Sequence, residues 1–130
     1  IQENLKGKRT MDIIKDFMST PVLSVNADVT AEDAAKEMGE KKVSCLLVKE
    51  NEEPIGIITT TDLVKRVMAK GLDPKTTKLE SILSKPLITI NHYLTRSDAS
   101  EMMLRKKIKH IAVTEGTNVL GILTPKDMIA

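Results

Sequence analysis

Apolar residues come along this chain in short bursts, and the spacing inside each burst names an element. Met11, Ile13, Ile14, Phe17 and Met18 follow the rhythm of a short amphipathic helix. Ser19-Thr20-Pro21 ends it, because a residue before proline is pushed out of the helical region. Val22 to Val25 reads as a brief strand, and Asn26 to Thr30 as a turn. Thr30-Ala31-Glu32-Asp33 has the form of a capping box that opens a helix running to about Lys41. Ser44 to Lys49 is a strand, Asn51 to Pro54 a turn, and Pro54-Ile55-Gly56-Ile57-Ile58 a second buried strand. Thr59-Thr60-Thr61-Asp62 then caps a helix that reaches about Lys70 before Gly71 and Pro74.

The same order returns. Val119-Leu120-Gly121-Ile122-Leu123-Thr124-Pro125-Lys126-Asp127 lies 65 positions beyond Pro54 to Asp62, with Gly, Ile, Thr and Asp falling on Gly, Ile, Thr and Asp. Ser84 and Pro86 match Ser19 and Pro21; Thr95, Asp98 and Ala99 match Thr30, Asp33 and Ala34; Val113 and Glu115 match Val48 and Glu50. Such a period is a tandem duplication. We place its units at residues 11–75 and 76–130, after a polar, basic tail over 1–10. The expected class is α/β (α+β): two tandem β-α-β-β-α repeats, each a small three-stranded sheet packed with helices. A single such sheet cannot bury both faces. Two copies with pseudo-two-fold symmetry can, and equivalent clefts are then expected between them, each near a Thr-x-x-Asp turn.

Composition narrows the chemistry. With 41% hydrophobic and 29% charged residues, the 130-residue chain is an ordinary globular sequence. One Phe, one Tyr and no Trp leave Ile, Leu, Val and seven Met to fill the core. The same scarcity removes stacking platforms for single-stranded nucleic acid, and a net charge of +2 is too balanced for an electrostatic DNA binder. No apolar run approaches a membrane span. No leader is visible, so a cytoplasmic location is expected; Ile1 suggests a processed chain or a module cut from a larger one. The single Cys45 excludes an internal disulfide and, lying in an apolar run, reads as an inert core thiol. Two histidines and one cysteine are not spaced as metal ligands, and no nucleophile–base pair is identifiable, so no enzyme is expected. His92 reads as an exposed turn residue.

The Thr-x-x-Asp turns carry the remaining signal. Each is a capping box in form, and Pro125 suits a first helical position. A helix N-terminus is also an anion site, and an acid beside it can hold a ribose diol. Gly56 and Gly121, inside strands, mark a close approach of another backbone or a ligand. Arg105, Lys106 and Lys107 suit the negative end of a helix, whereas Lys109 and His110, on the following strand, are candidates to face a phosphate.

Met18-Ser19-Thr20-Pro21-Val22, the helix from Thr30 to Lys41, Val43-Ser44-Cys45-Leu46-Leu47-Val48 and Gly56 to Asp62, with their partners 65 residues on, resemble a tandem pair of cystathionine β-synthase-type (CBS) domains, a Bateman module. The likeness runs from about Met11 to the end. It implies a regulatory ligand sensor, not an enzyme, for adenosine-containing small molecules: AMP, ADP, ATP or S-adenosylmethionine, with no cofactor required. By the same resemblance Asp62 and Asp127 bond ribose hydroxyls, and Thr59 and Thr124 lie near the phosphates. Thr20, Pro21 and Val22, and then Lys85, Pro86 and Leu87, flank adenine. Lys109 and His110 hold the position of a phosphate-facing basic residue, in the cleft that family geometry assigns to Asp62; the first repeat has Ser44 and Cys45 there instead. The chain departs from the family at Leu47 and Ala112, where proline is frequent, at Tyr93, opposite Asp28 of the first repeat, and in its short last helix. A homodimer through the terminal helices (Leu63, Val64, Val67, Met68; Met128, Ile129) and an attached or partner effector domain are implied as well. The alternative is a dimerisation scaffold with vestigial clefts; the acid kept in both repeats favours the sensor.

Overall fold

The computed structural model describes residues 12–129, and the expected tail over 1–10 lies outside them. Two compact units result, one built from residues 23–87, the other from 12–22 together with 88–129.

In the first of these, β1 (Ser24–Asn26) pairs parallel with β2 (Cys45–Glu50), which pairs antiparallel with β3 (Glu53–Thr59). A parallel neighbour requires a crossover, and α1 (Ala31–Lys41) supplies it. Thr30 caps α1 by accepting from the Asp33 N–H at 3.2 Å; the reciprocal bond of the expected capping box is not made. Lys42 closes α1 in the left-handed region at φ 57. Asn51 and Glu52, both at positive φ, join β2 to β3 through a two-residue turn. Helix α2 follows: one α-turn over Thr60–Asp62, then a π-helical stretch over Leu63–Met68. Its strands and the inner faces of α1 and α2 enclose Leu46, Val48, Ile58, Val67, Met38 and Leu79.

The second unit repeats the plan. Here β4 (Thr89–Asn91) runs parallel to β5 (Ile111–Glu115), β5 antiparallel to β6 (Asn118–Leu123), and α3 (Arg96–Lys106) crosses over. Thr95 and Asp98 make the full capping box, and Lys107 closes α3 at φ 55. Ile14, Ile90, Ile111, Val113 and Leu123 form its core.

Each repeat's opening segment packs on the sheet of the other repeat. Ile14 donates its N–H to Leu94 O at 2.9 Å, and Leu79, its counterpart, donates to Val29 O at 2.9 Å. Arg96 ties the opening segment down further: its Nη2 lies 2.9 Å from Asp12 Oδ1, and its guanidinium 3.9 Å above the Phe17 ring.

Several element boundaries differ from expectation. The helix expected over Met11 to Met18 is, among the described residues, a 3-10 turn at Ile14–Asp16; so short a segment cannot meet the nucleation cost of an α-helix alone. The strand expected at Val22 to Val25 lies at Ser24–Asn26, and β2 starts and ends one residue later than expected. The helix expected to reach Lys70 ends at Met68. The last one is a 3-10 turn over Pro125–Met128.

Candidate functional site

The unit of residues 23–87 builds its Thr-x-x-Asp turn where β3 ends. Thr59, the last residue of β3, is extended and stands as the N-cap of the turn that follows. Thr59 donates its N–H to Asp62 Oδ2 at 3.0 Å, and Asp62 returns its own N–H to Thr59 Oγ1 at 3.1 Å. The expected capping box is complete here. Asp62 is only 6% exposed, and a carboxylate so buried requires further partners. Ser84 supplies one, its hydroxyl 3.0 Å from Oδ1 and 3.2 Å from Oδ2. Arg66, one helical turn on, places Nε 3.5 Å from Oδ1 while its Nη1 donates to the carbonyls of Ile82 and Leu83 at 3.1 Å each.

Ser84 reaches Asp62 because its segment adds to the edge of β3. Ile57 and Ser84 exchange two backbone hydrogen bonds, at 3.0 and 2.8 Å. Gly56 permits this approach: a Cβ there would collide with the Ser84 carbonyl oxygen and Leu83 Cδ1. Lys85 and Pro86, exposed and joined by a cis peptide, and half-buried Leu87 follow directly.

Cys45 is the strand partner of Thr59, and Ser44 accepts from the Thr60 N–H at 3.1 Å. Burial, and secondarily the negative charge of Asp62, pushes the Cys45 thiol up to about 12. The thiol is therefore protonated at neutral pH and inert as a nucleophile.

In the other unit Asp127 accepts from the Thr124 N–H at 2.8 Å and the Thr124 hydroxyl at 3.3 Å, both through Oδ2. The Asp127 N–H lies 2.9 Å from the Thr124 carbonyl, and the expected capping box between the two residues is formed here as well. Ser19 and Ile122 exchange backbone hydrogen bonds as Ser84 and Ile57 do, and a Cβ on Gly121 would lie 2.9 Å from Ser19 O. Thr20 and Pro21, exposed and again joined by a cis peptide, and half-buried Val22 follow Ser19. Exposed Lys109 and half-buried His110 enter β5, whose first residue, Ile111, pairs with Leu123 beside Thr124.

The expected residues thus fall into two sets. Thr59, Asp62, Ser44, Cys45, Lys85, Pro86 and Leu87 share one unit; Thr124, Asp127, Thr20, Pro21, Val22, Lys109 and His110 share the other. Ser84 and Arg66 were not anticipated as partners of Asp62. For both a signal existed: Ser84 matches Ser19 beside the Pro86/Pro21 pair, and Arg66 follows Asp62 at the four-residue spacing of a helical ion pair. His92, expected to be exposed, is half-buried with Nε2 3.5 Å from Glu115 Oε2, because the following Tyr93 packs edge-on against its ring. Among the described residues no group of three or more His, Cys, Asp or Glu side chains could hold a metal ion, and no helix is long and apolar enough to cross a membrane.

Comparison with known proteins agrees with this geometry. The family model described as CBS domain matches twice, over residues 14–69 and 79–130. An uncharacterised protein of Methanocaldococcus jannaschii is 34% identical over 116 residues, covering 87% of this chain and 62% of that protein. Another from Methanopyrus kandleri is 32% identical, and this chain covers 56% of its length. Both curated relatives are therefore substantially longer than the segment they share. The inosine-5'-monophosphate dehydrogenase of M. jannaschii is 27% identical over 131 residues, a quarter (25%) of its length. Among solved structures, a hexameric CBS-CP12 protein from bloom-forming cyanobacteria superposes with a TM-score of 0.82 at 32% identity, covering 88% of this chain and 67% of that one. An uncharacterised conserved protein from Pyrococcus horikoshii gives 0.82 at 30% identity, covering 90% and 89%.

Proposed function

Because the chain belongs to the CBS-domain family, we propose that it is a regulatory module that binds an adenosine-containing ligand at its two Thr-x-x-Asp turns. AMP, ADP, ATP and S-adenosylmethionine are the candidate ligands, and the output passes to an attached or partner effector domain in the cytoplasm. The observation that carries this reading is the turn itself, built twice with its carboxylate steered by its own threonine N–H. A carboxylate so fixed presents its other lone pairs to a pair of hydroxyls, the chemistry a ribose diol needs. Segments ending in exposed Thr20-Pro21 and Lys85-Pro86 offer a flat apolar ring beside it for a base. Lys109 and His110 would favour phosphorylated ligands. In this reading the module senses its ligand without transforming it, and the Cys45 thiol beside the Asp62 turn, held protonated by burial, supports that. The longer relatives, one of them a dehydrogenase in name, support an effector elsewhere in a longer chain.

Self-association belongs to the same proposal. Val64 (59% exposed) and Met68 (70% exposed) lie one turn apart on α2, an apolar stripe suited to a second copy of the chain; the hexameric CBS-CP12 protein supports such assembly. Val67, grouped with that stripe in the sequence, is instead a core residue, because it lies four residues after Leu63 on the face that packs against the sheet core.

One observation favours the scaffold alternative: Asp62 is already satisfied by protein donors. A thermal-shift panel of AMP, ADP, ATP, S-adenosylmethionine and NAD decides between them. The sensor requires at least one adenosine compound to raise the melting temperature; a uniformly silent panel leaves the scaffold.

A further inference from the structure

Resting on the functional reading above, we propose that Ser84 is a built-in competitor for the ligand's place on Asp62, so that the two turns bind with unequal affinity. An ionised carboxylate offers about four lone-pair sites. At Asp62 the Thr59 N–H takes one, at 3.0 Å from Oδ2. The Ser84 hydroxyl sits astride both oxygens, at 3.0 and 3.2 Å, and Arg66 Nε faces Oδ1 at 3.5 Å. A ribose diol, which needs an acceptor for each of two hydroxyls, finds the shared edge of the carboxylate occupied. One protein donor has to leave.

Only Ser84 can do so locally. The Thr59 N–H belongs to the backbone of the cap, and Arg66 is held by the Ile82 and Leu83 carbonyls. The Ser84 hydroxyl leaves by rotation about one side-chain bond, while its backbone stays paired with Ile57. The other turn is built without this competitor. Ser19 occupies the matching position and pairs its backbone with Ile122, while Thr124 donates both its N–H and its hydroxyl to Asp127 on Oδ2. The ligand therefore fills the Asp127 turn first, and Ser84 sets the higher concentration at which the Asp62 turn responds.

The test is calorimetric titration of adenosine into Asp127→Ala protein, where the Asp62 turn alone reports, with Ser84 present and with Ser84→Ala. Removing the competing hydroxyl is expected to tighten binding by about tenfold, the scale of one hydrogen bond to a charged group. A merely structural serine would lower the melting temperature and leave affinity unchanged or weaker, and that result overturns the proposal. Should Ser84→Ala not fold, Ser84→Cys keeps the volume, donates weakly and reads the same sign. Adenosine uptake by the unmodified chain, lost in the Asp62→Ala/Asp127→Ala double variant, upholds the functional reading whatever Ser84 does. No uptake by any of these proteins overturns both.

Discussion

Asp62 and Asp127 are the same residue in the same motif, and their surroundings give them different energetic roles. Asp62 is buried and gathers donors from Thr59, Ser84 and Arg66; Asp127 is half-buried and accepts from Thr124 through one oxygen. Truncating a buried acceptor leaves its donors unpaired, at about 1–3 kcal/mol. Asp62→Ala should therefore lower unfolding free energy by about 2 kcal/mol, the exposed half of Arg66 contributing little, and Asp127→Ala by less than about 1 kcal/mol. Chemical denaturation of the two variants checks the order. Cys45 gives a second test at this scale. Its folded pKa of about 12 lies above the usual 9.0, so the unfolded chain loses this proton first as pH rises. The contribution is whole below pH 9.0 and is lost progressively toward about pH 12. Denaturation midpoints should fall across that window more steeply for the wild type than for Cys45→Ala, and a thiol-alkylating reagent should act slowly on the folded protein at neutral pH.

At the scale of elements, the two strand glycines test how closely each opening segment is applied to its sheet. A methyl at Gly56 meets backbone, the Ser84 carbonyl, as well as Leu83. At Gly121 the nearest atoms are Met18 Cγ and Sδ, both at 2.7 Å, on a side chain that can shift, and the backbone oxygen of Ser19 stands farther off than its Ser84 counterpart, at 2.9 Å. Gly56→Ala should then destabilise by about 3 kcal/mol and Gly121→Ala by about 1 kcal/mol, the two ends of the overpacking range; thermal melts of the pair give the comparison. This close approach was readable in advance, since glycine inside an apolar run has few other uses. The strands were readable for the same reason: runs such as Cys45 to Val48 and Ile111 to Val113 are buried along their length, and continuous apolarity marks that. What the pattern could not show is which sheet each opening segment joins. Ile14 and Leu79 are apolar in either arrangement, and only tertiary pairing sends each to the other repeat's sheet. The hold of Arg66 on the Ile82 and Leu83 carbonyls was hidden likewise, because they lie 16 and 17 residues away. The π-helical winding of α2 leaves no mark in a periodicity read at 3.6 residues per turn.

For the molecule as a whole, the apolar surface that folding leaves outside decides its association state. Val64, Met68 and Leu72 on or beside α2, and Ile129 after the last turn, are 59%, 70%, 44% and 76% exposed. Isolated exposed apolar residues need no explanation, but Val64 and Met68 stand one helical turn apart and form a single stripe. A helix stripe that matches itself suits a closed two-fold pair, in which each copy presents the same patch. Light scattering at micromolar concentration should accordingly give the mass of a dimer or of a multiple of it. Val64→Glu with Met68→Glu should shift that mass toward the 14.4 kDa chain, because two buried carboxylates per copy would face each other unpaired. Melting at high dilution should change little for the double variant, since neither side chain belongs to the core of its unit. A wild type that scatters as a monomer would remove the stripe from consideration as an interface and leave it as ordinary surface.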